Sequence, residues 1–235
     1  MNISIFDKIA KNKLFSILSH DLKSPIASIQ QFLELLKLGT NASDDMKLIS
    51  EHLITQVDGT SRLLNNLLHW SLTQLDGAKF KAEDLILIAI LNDTLQAMIL
   101  MIDNKQININ HINPDKQQTI KADRGQVSVI LNNLISNAIK FTPQNGTIEI
   151  RYSEEKKFYN VHIINSGSEI STDKIDEILN YDKRLISEKG TGLEEGTGFG
   201  LLLVKQFISE NNGKLRILNN EELGTEFIVS FQKAK

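Results

Sequence analysis

The first third of the chain contains two long runs of residues at helical spacing. Successive members of each run lie mostly three, four or seven positions apart, so they share one face of a helix. The first run is Leu14, Leu18, Leu22, Ile29, Leu33 and Leu36, and the second is Leu53, Val57, Leu64, Leu67, Leu68, Ser71 and Leu75. The segment between them starts with Gly39, which suits the end of a helix, and finishes with Ser43, which suits the start of the next.

These two runs predict a helical hairpin. Each helix would contain about 30 residues and would be about 45 Å long. A single hairpin would leave much of its apolar surface in water, whereas the pairing of two copies would bury that surface. We therefore expect a four-helix bundle that is formed by a homodimer.

The composition narrows the class of protein. The chain has 235 residues, of which 41% are hydrophobic and 23% charged, as is usual for a globular protein of one large or two ordinary domains. It has no cysteine, which excludes disulfides, thiolate metal sites and thiol nucleophiles. The net charge of -3 does not indicate nucleic acid as a partner. No apolar run reaches the roughly 18 residues of a membrane span.

The pattern changes at about residue 76, where helical spacing gives way to alternating strands and helices. We predict strands at 84–88, 107–110, 118–122, 147–153, 158–165, 214–219 and 225–232, helices at 89–103, 123–141 and 200–211, and irregular structure at 167–198. Mixed elements in this order are typical of an α+β sandwich. The chain would thus consist of a helical domain over 1–76 and an α+β domain over 77–235.

A histidine followed directly by an acid stands in the first helical run. His20 and Asp21 belong to the sequence FSILSHDLKSP, residues 15–25. The apolar stripe of this helix is Phe15, Leu18, Leu22 and Ile26. His20 and Asp21 fall off that stripe and would face solvent, and Pro25 would bend or loosen the helix one turn later. A carboxylate can take the proton from one imidazole nitrogen while the other attacks an electrophile, so we predict a nucleophilic histidine.

The remaining histidines have no neighbouring residue at the spacing of a ligand set. We expect them to be ordinary helix or strand residues: His52, His69, His111 and His162.

The predicted helix 123–141 contains two amides on one face. Asn133 and Asn137 lie four residues apart in the sequence NNLISNAIKFT. Their carbonyl oxygens suit a hard cation such as Mg²⁺, which binds phosphates as well. Lys140 follows one turn later, within reach of a phosphate. A solvated helix face remains the alternative interpretation of this spacing.

A glycine-rich segment, GTGLEEGTGFG, precedes the last predicted helix. Gly196, Gly198 and Gly200 would let backbone N–H groups approach phosphates, and the N-terminus of a helix favours anions. The segment is neither a dinucleotide-binding fingerprint nor a P-loop. A flexible turn is the alternative.

Taken in order, these motifs resemble those of the sensor histidine kinases, over nearly all of the chain. FSILSHDLKSP resembles the H box of that family, NNLISNAIKFT its N box, and EGTGFGLLLVKQFI its second glycine box. The resemblance implies a dimerisation and phosphoacceptor domain, which forms a four-helix bundle in the dimer, followed by an ATP-binding domain of the Bergerat type.

The resemblance also implies which residues transfer the phosphoryl group. His20 would attack the γ-phosphate of ATP, and Asp21 would act as its general base. The phosphoryl group would then pass to an aspartate of a response regulator. Ser24 stands four residues after the histidine, where the family often has Thr or Asn, and would position water for dephosphorylation of the regulator.

The implied nucleotide site lies in the second domain. Asn137 would bind Mg²⁺ with support from Asn133, Lys140 would contact the phosphates, and Phe141 would border the adenine. The other implied binding residues belong to the second glycine box: Gly196, Thr197, Gly198, Phe199, Gly200 and Leu201.

One motif departs from the family pattern. The first glycine box of the family reads Asp-x-Gly-x-Gly, and its Asp accepts a hydrogen bond from the adenine amino group. Here Asn165 replaces the Asp, Gly167 is kept, and Glu169 replaces the last glycine. A neutral amide is a weaker acceptor than a carboxylate, and Glu169 adds a negative charge near the phosphates. Both changes predict weaker or altered nucleotide binding.

The resemblance leaves two alternatives to an active autokinase. The first is a degenerate kinase, a dimeric module that binds a regulator and signals by conformation. The second is a Bergerat-type ATPase of the chaperone or mismatch-repair kind, which would leave the sequence HDLKSP unexplained. We expect a cytoplasmic location. The family normally has a sensor domain before the phosphoacceptor helix, and only 19 residues precede His20 here. The chain would therefore be either a small kinase or the cytoplasmic part of a membrane-bound sensor.

Overall fold

The structure is a computed structural model. It describes residues 80–114, 116–180, 199–220 and 223–234, and in the first third the positions 26, 27, 29–31, 33, 34, 54, 57, 60, 61 and 64. The chain divides into two compact units, Met1–Asn65 and Asn66–Lys235. All the described positions of the first unit are helical, as the apolar runs predict. The proposed domain boundary at residue 76 stays a prediction.

The second unit contains seven described strands and five described helices. The strands are β1 (Ala82–Ile86), β2 (Asn108–His111), β3 (Thr119–Asp123), β4 (Thr147–Glu154), β5 (Phe158–Asn165), β6 (Lys214–Asn220) and β7 (Gly224–Gln232). The helices are α1 (Leu87–Ala97), α2 (Ile99–Asn104), α3 (Arg124–Phe141), α4 (Thr172–Asn180) and α5 (Phe199–Glu210). Among these described residues, no helix combines the length and the apolar character that crossing a bilayer requires.

Five strands form one mixed sheet in the order β2-β4-β5-β7-β6. β2 runs parallel to β4, and the other neighbours are antiparallel. The register places Val161 of β5 opposite Tyr152 of β4 and Val229 of β7. A separate two-stranded sheet joins β1 to β3. The predicted α+β sandwich is confirmed.

The helix α3 lies at the centre of the second unit and packs against α1, α5 and β5. Its buried residues recur at helical spacing and form most of one face: Val127, Ile130, Leu131, Leu134, Ile135, Ala138 and Ile139. Each buried aliphatic side chain of this kind contributes about 1.5–3 kcal/mol. The position of α3 is therefore fixed by the core, and the residues on its other face are fixed with it.

The N-terminus of α3 is capped by a polar network. The Asp123 side chain accepts a hydrogen bond from the backbone N–H of Gln126 at 3.1 Å. Asn211 accepts one from the backbone N–H of Asp123 at 2.8 Å and donates to the side-chain oxygen of Gln126 at 2.6 Å. Because Asn211 follows α5 directly, this network joins the start of α3 to the end of α5.

A lysine from a distant segment caps the C-terminus of α3. The Lys105 ammonium donates to the carbonyl oxygens of Ile139 at 3.0 Å, Lys140 at 3.0 Å and Thr142 at 3.4 Å. The last carbonyls of a helix have no partner within the helix and carry partial negative charge. The Lys105 ammonium therefore both donates hydrogen bonds to these carbonyls and offsets their partial negative charge.

Two sequence predictions need correction. The predicted helix 89–103 is two helices, because the backbone N–H of Met98 donates to Leu95 in a tighter turn that separates α1 from α2. The segment 167–198, which was predicted to be irregular, contains α4. Its apolar residues Ile175, Ile178 and Leu179 recur at helical spacing, and Ile178 is only 4% exposed. Burial of that stripe stabilises the helix despite its polar surroundings.

Candidate functional site

The outer face of α3 presents a line of polar and aromatic side chains. Asn133, Asn137 and Phe141 lie at intervals of four residues, so they span about 12 Å along the helix. All three are partly exposed, in contrast to the buried face behind them. The Lys140 ammonium lies 4.7 Å from the centroid of the Phe141 ring, a cation–π distance. The line therefore has an amide end and an aromatic, cationic end.

At the amide end, Asn133 contacts the first turn of α5. Its side-chain nitrogen donates to the carbonyl of Val129 at 2.8 Å, which fixes the orientation of the amide. A Cβ added to Gly200 would lie 2.4 Å from the Asn133 side-chain oxygen, so a larger residue at this position would have to displace Asn133 or the first turn of α5. The first turn of α5 therefore lies against the amide end of the line.

At the aromatic end, the carbonyl of Phe141 meets the turn that follows β5. A Cβ on Gly167 would lie 2.3 Å from the Phe141 carbonyl oxygen and 2.6 Å from the side-chain nitrogen of Asn165. Gly224 has a φ of +108°, and a Cβ there would lie 2.3 Å from the Gly167 carbonyl oxygen. Two glycines thus allow three backbone segments to converge beside Asn165.

Asn165 is a buried polar residue without a full set of hydrogen bonds. Its exposed fraction is 3%, and its side-chain nitrogen has no hydrogen-bond partner among the described residues. A buried donor that lacks a partner costs about 1–3 kcal/mol. Such a group in a native protein calls for an acceptor from water or from a ligand.

The comparisons with known proteins identify the family of this chain. The family model described as histidine kinase-, DNA gyrase B- and HSP90-like ATPase matches residues 122–235, and that of the His kinase A phosphoacceptor domain matches residues 10–74. The chain belongs to the sensor histidine kinases. The ATPase match contains α3, the turn after β5 and α5, so the site lies within the ATP-binding domain of this histidine kinase.

Similar proteins include other sensor kinases. The sensor protein KdpD of Clostridium acetobutylicum is 27% identical over 234 residues, which cover 97% of this chain and 25% of that protein. The fold of the histidine kinase AdeS of Acinetobacter baumannii is similar, with a TM-score of 0.65 and 20% identity over 92% of this chain and 98% of that one. The histidine kinase ThkA, solved in complex with the response regulator TrrA, has a TM-score of 0.69 and 20% identity over 94% of this chain and 61% of that one.

The chain corresponds to a part of its curated relatives. It spans 25%, 15% and 36% of the lengths of three of them.

The described part of this histidine kinase brings several predicted site residues together. Asn133 meets Gly200 at one end of the α3 line, and at the other end Gly167 lies close to both the backbone carbonyl of Phe141 and the side chain of Asn165. Asn137 lies between these two contacts on α3, and Lys140 directly precedes Phe141. Leu201 is partly buried in the first turn of α5, and Phe199 begins that helix. The remaining predicted residues lie outside the described residues: His20, Asp21, Ser24, Gly196, Thr197 and Gly198.

The donor set of the α3 line suits a hard cation bound together with phosphates. Among the described residues, no group of three His, Cys, Asp or Glu side chains is placed to hold a metal ion by itself. Asn133 and Asn137 offer amide oxygens, which Mg²⁺ accepts as ligands alongside phosphate oxygens and water. The residues present are therefore suited to bind a cation together with a nucleotide, whose phosphates would supply further ligands.

Sequence reasoning missed the residues that hold the site in place. Lys105 fixes the last turn of α3, which carries Lys140 and Phe141. Thr225 donates its hydroxyl to the carbonyl of Ser168 at 3.0 Å and so holds the turn after β5 against β7. Neither residue belongs to a motif, and only the assembled sheet and helix layer brings each to its partner.

Two histidines that the sequence left without partners have them in the folded domain. Both ring nitrogens of His162 make contacts of 2.7 Å, with the Glu226 carboxylate and the Ser153 hydroxyl. His111 shares a hydrogen bond of 2.8 Å with the Tyr152 hydroxyl. Burial lowers the pKa of His111 and raises the pKa of Tyr152. Both are strand residues, as predicted, and their partners come from neighbouring strands.

Proposed function

We propose that this chain is the kinase part of a two-component signalling protein, which uses ATP to phosphorylate His20 and then passes the phosphoryl group to a response regulator. The observation that carries the proposal is the α3 line within the ATPase domain. One end of this line is held against the N-terminus of a helix, and the other adjoins a buried amide and an aromatic ring. The sequence HDLKSP supplies the nucleophile in the phosphoacceptor domain.

The phosphate end of the nucleotide would lie near Asn133, Asn137 and α5. The helix N-terminus and the backbone of the glycine-rich segment before it would neutralise phosphate charge. When bound, Mg²⁺ would supply further charge neutralisation at the phosphates, with the Asn137 amide oxygen as its protein ligand. The Lys140 side chain, which starts three residues after Asn137, would turn from the Phe141 ring to contact the phosphates as well. This domain would act mainly by positioning and electrostatic stabilisation.

The base end would lie near Phe141, Gly167 and Asn165. An aromatic ring offers an apolar contact surface, and the buried amide offers a polar partner for the edge of the base. About 12 Å separates the two ends of the line along α3, a distance that suits the length of a nucleoside triphosphate.

The chemical step would be an in-line transfer of the γ-phosphoryl group. One imidazole nitrogen of His20 would form a bond to the γ-phosphorus, while the bond from that phosphorus to the bridging oxygen breaks and ADP leaves. Asp21 would accept the proton of the other ring nitrogen. In the second step, an aspartate of the regulator would attack the phosphorus, the P–N bond would break, and the imidazole of His20 would take back the proton from Asp21. Ser24 would hold a water for removal of the phosphoryl group from the regulator.

Exposed apolar residues in the first unit support a homodimer. Leu33, Val57 and Leu64 belong to the predicted helical faces and are 51%, 47% and 47% exposed in a single chain. Side chains of this kind are expected to be buried by a second copy of the same helices. The division into a phosphoacceptor domain over 1–76 and a catalytic domain over 77–235 is part of this proposal.

The relatives support a proposal for the partner and for the location. ThkA has been solved in complex with a response regulator, and we propose that the helical domain of this chain binds a receiver domain in the same capacity. Several relatives are sensor proteins much longer than this chain. We therefore propose that the chain acts in the cytoplasm as the kinase portion of a sensor.

The test is incubation of the chain with γ-labelled ATP and Mg²⁺, for the wild type, His20→Gln and His52→Gln. His52→Gln is the matched control, because it removes another histidine of the helical region. Acid-labile label in the wild type and in the control, and its loss in His20→Gln, are expected. Label that survives in His20→Gln would rule out His20 as the acceptor.

The second candidate is a signalling module that does not phosphorylate itself. It is favoured by Asn165, which replaces a carboxylate, and by the exposed Glu169 in the same turn. A folded dimer that takes up no label in the same experiment, but still binds a receiver domain, would favour this candidate.

A further inference from the structure

Asn165 occupies a fixed position at the end of a central strand. It is the last residue of β5 and lies opposite Ile148 of β4 and Thr225 of β7. Its exposed fraction is 3%, and Gly167 beside it has no room for a Cβ. The backbone around the amide is therefore set by the sheet and by the turn, and the side chain has little freedom to move away.

The side-chain nitrogen of Asn165 is the unsatisfied atom of this site. Among the described residues it has no hydrogen-bond partner. An acceptor on a ligand would supply the hydrogen bond that this nitrogen lacks and remove the cost of leaving it unmade. In the proposed binding mode this acceptor would come from the edge of the nucleobase, because Gly167 lies close both to the Asn165 nitrogen and to the backbone carbonyl of Phe141, the last residue of the α3 line.

A carboxamide reads a base edge differently from a carboxylate. It carries one acceptor oxygen and one donor nitrogen, and a half-turn of the amide exchanges their places. It can therefore accept a hydrogen bond from the amino group of a 6-aminopurine or donate one to the carbonyl of a 6-oxopurine. An ionised carboxylate has acceptors only, so in the same pose it pairs with the amino group and repels the carbonyl.

We propose that Asn165 determines the base specificity of this site and that the site takes 6-oxopurine nucleotides, such as inosine and guanosine phosphates, as well as adenosine phosphates. The inference rests on the proposed nucleotide-binding function and assigns the substrate class of that same site. The unpaired nitrogen of Asn165 is the donor that a 6-oxo group requires.

The test compares ADP with IDP, two ligands that differ at position 6 of the purine and the adjacent N1 and that cannot donate a γ-phosphoryl group. Calorimetric titration of the whole chain with Mg²⁺ gives the ratio of their dissociation constants. In the wild type the two constants should agree within about tenfold. In Asn165→Asp, ADP should bind more tightly and IDP more weakly, so the ratio should change by roughly a hundredfold or more, the size expected when a buried polar group loses its partner.

The matched control is Asn132→Asp, which makes the same chemical change at an exposed position of α3. This variant should keep the wild-type ratio. A wild type that prefers ADP over IDP by more than a hundredfold would overturn the inference without any variant, even if Asn165→Asp failed to fold. An unchanged ratio in a folded Asn165→Asp would overturn it too.

The outcomes also separate this inference from the function on which it rests. If ADP binds and the ratio does not respond to Asn165, the base assignment fails and the nucleotide site stands. If neither nucleotide binds to the folded wild type, the proposed nucleotide site fails and the base assignment fails with it.

Discussion

Gly200 lies directly against the side-chain amide of Asn133. A Cβ at position 200 would be 2.4 Å from the Asn133 oxygen, closer than any real contact of this type. The two residues stand 67 positions apart in the chain and belong to the N box and the second glycine box. Their contact joins the amide end of the α3 line to the first turn of α5, where phosphates are proposed to bind.

Gly200→Ala is therefore expected to weaken nucleotide binding without unfolding the domain. The new methyl group must displace Asn133 or the first turn of α5, and misplacement of binding groups by such a distance costs roughly tenfold or more. Calorimetric titration with ADP measures the effect, and thermal unfolding checks the fold. Gly125→Ala is the control, because its Cβ would meet its nearest atom at an ordinary 3.4 Å. Equal affinities in the two variants would contradict the role given to the Gly200 contact.

Lys105→Ala is expected to destabilise the second unit. It removes a cation that donates to three carbonyls at the end of α3, at 3.0, 3.0 and 3.4 Å. Loss of such a cap costs about 1–2 kcal/mol of the free energy of unfolding. Denaturant titration gives this value, and Lys156→Ala supplies a control at an exposed lysine. A Lys105→Ala protein as stable as the control would contradict this prediction and would mean that the carbonyls accept hydrogen bonds from water instead.

Asn211→Ala should have a larger effect on stability. Asn211 is 2% exposed, accepts a bond from the backbone of Asp123, and donates to Gln126 and to the carbonyl of Phe207 at 2.7 Å. Its truncation leaves several buried groups unpaired, at a cost of about 2–3 kcal/mol. The control is Asn132→Ala, an exposed asparagine on α3. A difference below about 1 kcal/mol between these variants, measured by denaturant titration, would show that the network relaxes.

The partly buried His111 should make the free energy of unfolding of the second unit depend on pH. Burial lowers the pKa of His111 below its ordinary value of 6.5, so the unfolded chain takes up the proton first as the pH falls. The stabilisation is complete above about pH 6.5 and is lost as the pH falls towards the folded pKa. His111→Gln should therefore reduce the loss of unfolding free energy between about pH 7.5 and pH 5.

The partner of His111 separates two causes of this behaviour. Tyr152→Phe keeps the burial of His111 and removes the hydrogen bond of 2.8 Å. If desolvation is the cause, an NMR titration should still give a pKa below the ordinary value in this variant. A return of the pKa of His111 to about 6.5 in Tyr152→Phe would assign the shift to the hydrogen bond instead.

Much of the fold could be predicted because the spacing of the apolar residues changes between helical and strand periodicity close to the observed ends of the elements. The predicted strand 158–165 coincides with β5, and the predicted helix 123–141 differs from α3 by one residue, since Asp123 is its cap. The helix α4 was missed because three apolar residues stand in a segment rich in Gly, Ser, Glu and Lys. The helix α4 is stabilised mainly by the burial of Ile178 in the assembled domain, and the local sequence does not reveal that burial.

The site could be predicted as motifs but not as contacts. Asn133, Gly200 and Asn165 were all assigned from their sequence surroundings, yet nothing in the sequence indicates that Gly200 touches Asn133 or that the Asn165 nitrogen lacks a partner. Lys105 lies 35 residues before the carbonyl of Lys140 to which it donates. Contacts of this range depend on the complete arrangement of the sheet and helices.

The caps of α3 set an order of events during synthesis of the chain. The N-terminus of the helix depends on Asn211, which follows Asp123 by 88 residues. A nascent chain can therefore present the phosphoacceptor segment to the cell long before Asn211 leaves the ribosome. Until then, α3 lacks one of its two caps, so this helix can reach its full stability only after residue 211 has been synthesised.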